Sequence, residues 1–271
     1  MHIAIVVLLI SLNILCYSQS ITPNLSARSA ALGNNHVLLK EVFSITSSSA
    51  ALSNLEHTQV GAGYEINPQW QGANKLIACL ASPIKKGVGQ FSVLRFGDAN
   101  YSESIATLGY GHSINQSAIG FSTSIIQYRA DGFGNKHAIN FNFSGAHQFG
   151  ENIRVGAYMQ NILKKEINEA FREKQPTRMA IGVMWQAAKT VSLYGELLKD
   201  LDYATQVRLG VEYKANEKFF IRSGLQPKPG LSSGGFGFIY KNITVDTAIQ
   251  YFWNNNHFRQ LTTLSYSIHK K

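Results

Sequence analysis

Six charged residues in the C-terminal part of the chain combine three guanidinium groups with three carboxylates. They recur on the same side of successive segments of alternating polarity. Arginine presents a planar fork of donors that matches a carboxylate, and neighbouring β-strands lie under about 5 Å apart. We therefore expect ion pairs between adjoining strands. The six residues are Arg178, Glu196, Arg208, Glu212, Arg222 and Asp246.

Two interpretations of these charges stay open at the level of sequence. The functional interpretation is a polar anchor for a hatch, for a partner segment or for the carboxylate of a ligand. The structural interpretation is a polar network that fills a narrow lumen, because a polar interior is usual in membrane β-barrels.

Catalytic and metal chemistry find little support. The histidines are dispersed, and His137 and His147 are too far apart along one segment to cooperate directly. Residues 47–49 are three serines without a neighbouring histidine, whereas nucleophilic catalysis needs a base within hydrogen-bond reach. Cys79 is the one cysteine beyond residue 18, which excludes an intrachain disulfide and a cysteine-cluster metal site. We expect no enzyme, no metal and no cofactor.

The net charge of the chain is +9, which raises the question of nucleic-acid binding. Lysine and arginine are scattered, with short pairs such as Lys85 and Lys86 but no basic helix. Nucleic-acid binding proteins concentrate such charge on one face or along one helix. We therefore expect no nucleic-acid partner.

The elements that position the six charges are strands of alternating polarity. From Tyr203 to Lys214 every second residue is suited to lipid, and the residues between them are polar or small. From Thr58 onward about 14 such segments are long enough to cross an outer membrane at a tilt. Tight turns such as 215–217 alternate with longer joints such as 163–176. This pattern predicts an all-β transmembrane antiparallel barrel whose amino end is periplasmic.

The predicted inner face is rich in glycine, for example Gly156, Gly210 and Gly224, which indicates a lumen crowded by larger neighbours or by a plug. The early strands are less regular. Glu103 and Thr107 lie on the same side of their segment as the apolar Ile105, which predicts a shifted boundary or a β-bulge there.

Three domains are expected. The apolar run 3–15 predicts a secretory signal peptide over residues 1–18, so the chain is exported through the inner membrane. Residues 19–57 are expected to form an N-terminal hatch or plug segment. Residues 58–271 are expected to form the barrel in the cell outer membrane, with lipid as its partner.

The longest predicted loop, 163–176, carries charges at a spacing that would support a short helix. Ile167 and Phe171 would then present an apolar contact to an extracellular partner, and a solvated loop is the alternative. Two roles stay open for Trp70 in the first outer loop: it could anchor the barrel at the membrane interface or bind a partner.

Motifs at the two ends of the chain resemble the PorV/PorQ-type outer-membrane proteins of Bacteroidetes-like bacteria, a group related to the FadL transporters. The N-terminal motif is the sequence SARSAALG, which begins at Ser26 and is followed by SSAAL from Ser48. The C-terminal motifs are RLGVEY from Arg208, IRSGL from Ile221, GFGF from Gly235 and VDTA from Val245. The chain departs from the family pattern at Asn34, at Ser48 and Ser49, and at Thr247.

The resemblance implies a 14-stranded barrel with an internal N-terminal segment and association with type IX secretion components or their cargo. Three functions follow for comparison. The first is a non-enzymatic accessory of type IX protein secretion, which the inward charges and glycines favour. The second is a FadL-like channel for uptake of hydrophobic small molecules. The third is a structural or adhesive barrel.

Overall fold

The barrel wall is continuous in the computed structural model, which describes residues 25–70, 72–132, 134–163, 166–168 and 173–269. Within these residues, fourteen strands form a closed barrel in which each strand pairs with its sequence neighbours in the wall and β1 pairs with β16. All of these pairings are antiparallel. The predicted fold class is confirmed. The strands of the wall are β1 Thr58–Ile66, β2 Lys75–Ile84, β3 Gly87–Gly97, β4 Tyr101–Ile114, β5 Ser117–Ala130, β6 Gly134–Phe149, β7 Ile153–Gln160, β10 Arg178–Ala188, β11 Val191–Asp200, β12 Gln206–Lys214, β13 Phe219–Gln226, β14 Leu231–Tyr240, β15 Ile243–Phe252 and β16 His257–Ile268.

Strand formation follows from the alternation of side chains. Along β12, Val207, Leu209 and Val211 are exposed, whereas Arg208 and Glu212 are buried. A strand sends successive side chains to opposite faces, so the apolar set meets lipid and the charged set meets the lumen. Tyr203 belongs to the loop before β12, so the predicted strand began too early.

The irregularity expected in the early strands is absent. Glu103, Ile105 and Thr107 are all buried, and β4 keeps a continuous register with both neighbours. Ile105 faces inward because an apolar cluster in the lumen receives it. A register shift lies instead between Gln186 and Ala188 of β10.

The loop between β7 and β10 contains a small hairpin of β8 Glu166–Asn168 and β9 Glu173–Lys174. The described part of this loop therefore does not form the short helix that was one of its two predicted alternatives. Ile167 lies in β8, and Phe171 falls outside the described residues.

An N-terminal segment, residues 25–57, precedes the wall. It contains the helix α1 Ala27–Ala31 and two 3-10 helices, η1 Val42–Thr46 and η2 Ser49–Leu52. Ser26 caps α1 by accepting a hydrogen bond from the Ser29 backbone N–H. In the part of the chain that is described, none of the helices is long and apolar enough to cross a membrane. The expected signal peptide, residues 1–18, lies outside this part.

The N-terminal segment packs against the inner face of the wall. Leu25, Val42, Phe43 and Ile45 form one apolar cluster with inward residues of the early strands. Val37 and Leu38 form another with the inner faces of β5, β6, β7, β10 and β11.

The two ends of the barrel differ, because one carries short turns such as 115–116 and 241–242 and the other carries longer loops. We call them the short-turn end and the long-loop end.

Candidate functional site in the barrel lumen

A chain of ion pairs joins the N-terminal segment to three late strands. Arg28 Nε donates to Glu212 Oε2 at 2.9 Å, and Arg28 Nη2 donates to Glu212 Oε1 at 2.7 Å. Arg222 Nε reaches the same Oε2 at 2.5 Å, and its Nη1 donates to Asp246 Oδ1 at 2.6 Å. The two arginines and two carboxylates balance in charge. This is the pairing pattern that buried charges require.

A second cluster is centred on Glu196 of β11. Its Oε2 accepts the backbone N–H groups of His36 at 2.8 Å and Val37 at 3.1 Å. Its Oε1 accepts a hydrogen bond from Arg208 Nη1 at 2.8 Å. His36 Nε2 lies 2.8 Å from the hydroxyl of Tyr158. Glu196 therefore binds the backbone of the N-terminal segment directly, and Arg208 compensates its charge.

The six charges predicted from sequence do not form one ladder. Glu212, Arg222 and Asp246 lie together, and Glu196 and Arg208 lie together. Arg178 belongs to neither group, because its Nε donates to Asp200 Oδ2 at 3.0 Å. The sequence reasoning missed Arg28, His36 and Asp200. Arg28 stood in a recognised motif, but nothing in the sequence indicated which strand it would meet.

The inward glycines provide room for this contact. Gly33 adopts a φ of +68°, a left-handed conformation that glycine tolerates best. A Cβ at Gly224 would lie 1.9 Å from Gly33 N, and one at Gly210 would lie 2.7 Å from the carbonyl oxygen of Leu32. Backbone of the N-terminal segment thus lies directly on backbone of β12 and β13, an approach that side chains on the wall would prevent.

Glu41 is the carboxylate of the N-terminal segment that lies near Arg28. The Ser26 hydroxyl donates a hydrogen bond to Glu41 Oε1. Burial raises the pKa of Glu41 to about 7, although Arg28 and the Ser26 hydrogen bond act in the opposite direction. Glu41 therefore titrates near neutral pH, unlike a carboxylate in water.

The wall is thin where β6 and β7 pair, because small residues occupy both faces there. Gly145 pairs with Ala157 on the outer face, and Ala146 pairs with Gly156 on the inner face. A Cβ at Gly156 would lie 2.7 Å from Leu38 Cδ2, so the N-terminal segment lies immediately behind the strand.

A cavity of about 700 Å³ lies at this thin region and is predominantly apolar. Its lining combines lipid-facing residues such as Phe143 and Ile181 with lumenal residues such as Ala146 and Tyr158. Ligand sites for small molecules have this size and character. The sequence analysis did not find this cavity, because the alternation of side chains along a strand does not show how side chains of neighbouring strands leave space between them.

A smaller polar cavity of about 340 Å³ opens beside the Glu196 cluster. Arg178, Asp200, Arg208 and Lys228 line it together with other residues of the long-loop end. Among the described residues, no group of three or more histidines, cysteines, aspartates or glutamates is placed to hold a metal ion.

Trp70 occupies the loop between β1 and β2. Its side chain is 53% exposed and its ring stacks on His257 with a centroid separation of 4.3 Å. The contact with His257 fixes one face of the indole against the barrel. Binding of a partner by Trp70 stays a prediction.

No protein-family model and no curated protein sequence matches the chain. Solved structures do match. The CymD monoaromatic hydrocarbon channel aligns with a TM-score of 0.70 at 11% identity, over 92% of this chain and 99% of its own. The toluene transporter TodX of P. putida aligns with a TM-score of 0.70 at 10% identity, over 93% and 100%. A TodX deltaS2 mutant aligns with a TM-score of 0.74 at 10% identity, over 93% and 100%.

The chain is an outer-membrane β-barrel. The shared fold places its exposed belt of aliphatic and aromatic residues, such as Ile181, Trp185 and Phe236, against membrane lipid. At this level of identity the likeness concerns architecture.

Proposed function

We propose that this protein is a non-enzymatic, FadL-like outer-membrane channel for hydrophobic small molecules, with the N-terminal segment as its hatch. The observation that carries the proposal is the apolar cavity of about 700 Å³ at β6, β7 and β10. Residues whose side chains belong to both faces of the wall contribute to its lining. An apolar solute would gain about 25 cal/mol for each Å² of apolar surface that it buries.

The route follows from what fills the lumen. Leu25, Leu32 and Ile45 of the N-terminal segment are almost completely buried, so a straight path along the barrel axis meets protein. The small residues Gly145, Ala157 and Gly156 instead offer a lateral path behind which Val37 and Leu38 lie. Because β7 pairs continuously with β6 and β10, opening the path would require these strand pairs to separate locally as well as these two side chains to shift, while the anchors at Glu196 and Glu212 remain in place.

The hydrocarbon channels named in the structural comparison support this class of cargo, although none of them is a close relative in sequence. The inward charges had favoured secretion in the sequence analysis, because a hydrophobic route seemed to require apolar lumenal walls. The paired charges now have a different explanation, since they hold the N-terminal segment.

Uptake of labelled toluene by cells that express the chain tests the proposal. Ala157→Phe would fill the cavity, and we expect it to reduce uptake several-fold. Ala106→Phe is the matched control, because Ala106 is an exposed alanine on the lipid face of β4, outside the cavity. Uptake by the wild type no faster than by cells with an empty vector would reject the channel. Equal loss in the two variants would reject the lateral route.

A role in type IX protein secretion is the second candidate, and the order of the C-terminal motifs favours it. Three residues of these motifs hold the N-terminal segment. Arg208 and Glu212 contact it directly, and Arg222 contacts Glu212. Such contacts would serve a secretion accessory as well as a channel. Comparison of the surface proteome with and without the gene separates the two, since only the secretion role predicts loss of surface proteins.

A further inference from the structure

Arg154 of β7 is a buried cation without a compensating carboxylate. Only 6% of the residue is exposed, and its side chain faces the lumen near the short-turn end. Within the described part of the chain, no carboxylate forms a salt bridge with it, and its Nη1 has no hydrogen-bond partner. By contrast, the lumenal Arg28, Arg178, Arg208 and Arg222 each have a carboxylate oxygen within 3.0 Å.

A second cation adjoins Arg154. Two cavities at the short-turn end, of about 450 and 210 Å³, are both lined by Arg154 and by Lys40 of the N-terminal segment. Lys40 is exposed. Its pKa is nevertheless lowered, mainly because surrounding protein removes part of its hydration and secondly because the positive charge of Arg154 is near. The two cations therefore repel each other, and an anion between them would relieve that repulsion.

The larger cavity suits a small ligand with polar and apolar parts. Asn54, Gln59 and Asn242 contribute polar groups, and Leu52 and Leu55 contribute apolar surface. Glu56 is the one carboxylate in the lining, against Lys40, Arg154 and Lys241. The lining thus carries an excess of two positive charges. A volume of about 450 Å³ lies in the range of small-molecule sites.

We propose that the short-turn end of the barrel binds a small dianionic oxyanion between Arg154 and Lys40. An unpaired buried arginine offers a planar fork of donors to two oxygens, and a lysine offers a point charge to a third. Phosphate and dicarboxylates share this chemistry. Short turns are typical of the periplasmic end of such barrels, so we expect a periplasmic solute as the ligand. The proposal is independent of the channel, because the apolar cavity shares neither cation.

Calorimetric titration of the full chain in detergent tests the site. The probes are inorganic phosphate at pH 8, succinate and the monoanion benzoate. We expect saturable binding of phosphate or succinate, and which of them binds separates the two sources. Benzoate is expected to bind at least about tenfold more weakly, in line with the loss of one charge-assisted contact.

Variants locate the site on the structure. Arg154→Gln and Lys40→Gln should each weaken binding of the dianion by about tenfold or more. Lys189→Gln is the matched control, because Lys189 is exposed in a turn of the same end and outside both cavities. Heat-modifiable gel mobility checks folding of each variant. If Arg154→Gln does not fold, Lys40→Gln decides, since Lys40 is exposed.

Three results would overturn the proposal. The first is that neither phosphate nor succinate binds. The second is that Lys40→Gln binds the dianion as the wild type does. The third is that Lys189→Gln weakens binding equally, which would mean that the overall positive charge attracts the anion. Benzoate that binds as tightly as the dianions would in addition show that the site does not select a ligand with two negative charges.

Discussion

Arg28 and Glu212 form a two-point ion pair across 184 residues of sequence, with both N–O distances below 3.0 Å. The pair ties α1 to β12, while Arg222 extends the contact to β13 and Asp246 extends it to β15. The N-terminal segment is therefore held at the late strands by charge together with apolar packing of α1, and at the early strands by apolar packing.

Glu212→Gln should weaken this attachment. The change leaves the partly exposed Arg28 and the buried Arg222 against a neutral amide, although Arg222 keeps Asp246. Removal of one partner from a fully buried ion pair costs about 3–5 kcal/mol, so we expect a smaller loss here. We expect a lower unfolding temperature and faster protease cleavage within the N-terminal segment. Glu217→Gln is the control, because Glu217 pairs with Lys214 at the exposed short-turn end and such pairs contribute about 0–1 kcal/mol. Similar behaviour of the two variants would contradict the anchoring role.

Gly224→Ala should displace the N-terminal segment, because the new Cβ would lie 1.9 Å from Gly33 N. Overpacking of this kind typically costs about 1–3 kcal/mol. Gly234→Ala on the neighbouring strand is the matched control, since its nearest neighbour would be 3.7 Å away. Denaturant unfolding of both variants checks the prediction. Equal stability would mean that the segment does not approach β13 this closely in the membrane.

Glu41 should make stability depend on pH. Its pKa is raised to about 7 in the folded state, above the ordinary value of 4.5. The folded state therefore holds this proton more tightly than the unfolded state. The resulting stabilisation is complete below about pH 4.5 and is lost as the pH rises through 7.

Thermal unfolding of the wild type and of Glu41→Gln at pH 5 and pH 8 measures this effect. We expect the unfolding temperature of the wild type to fall more between the two values than that of the variant, because the amide does not titrate. Other titrating groups contribute equally to both proteins. The same pH dependence in the two proteins would show that Glu41 does not carry it.

Much of the wall was predictable because local rules govern a membrane barrel. Every described strand of the wall begins and ends within a few residues of an alternating segment. Hydrocarbon on one side and a polar lumen on the other impose a period of two on each strand, and no tertiary contact is needed to see it. Glu103 and Ile105 seemed irregular only because the lumen was assumed to be polar throughout.

The amino-acid sequence by itself determined the barrel, its strand number, its inward charges and the crowding that the inward glycines indicate. The tertiary structure decided which charges meet, since Arg178 pairs with Asp200 and Glu212 pairs with Arg28 from the N-terminal segment. It also decided where cavities lie and which cation, Arg154, has no carboxylate among the described residues. The physical reason is range: alternation is set by neighbours along one strand, whereas ion pairs and cavities depend on how the N-terminal segment lies across strands that are distant in sequence.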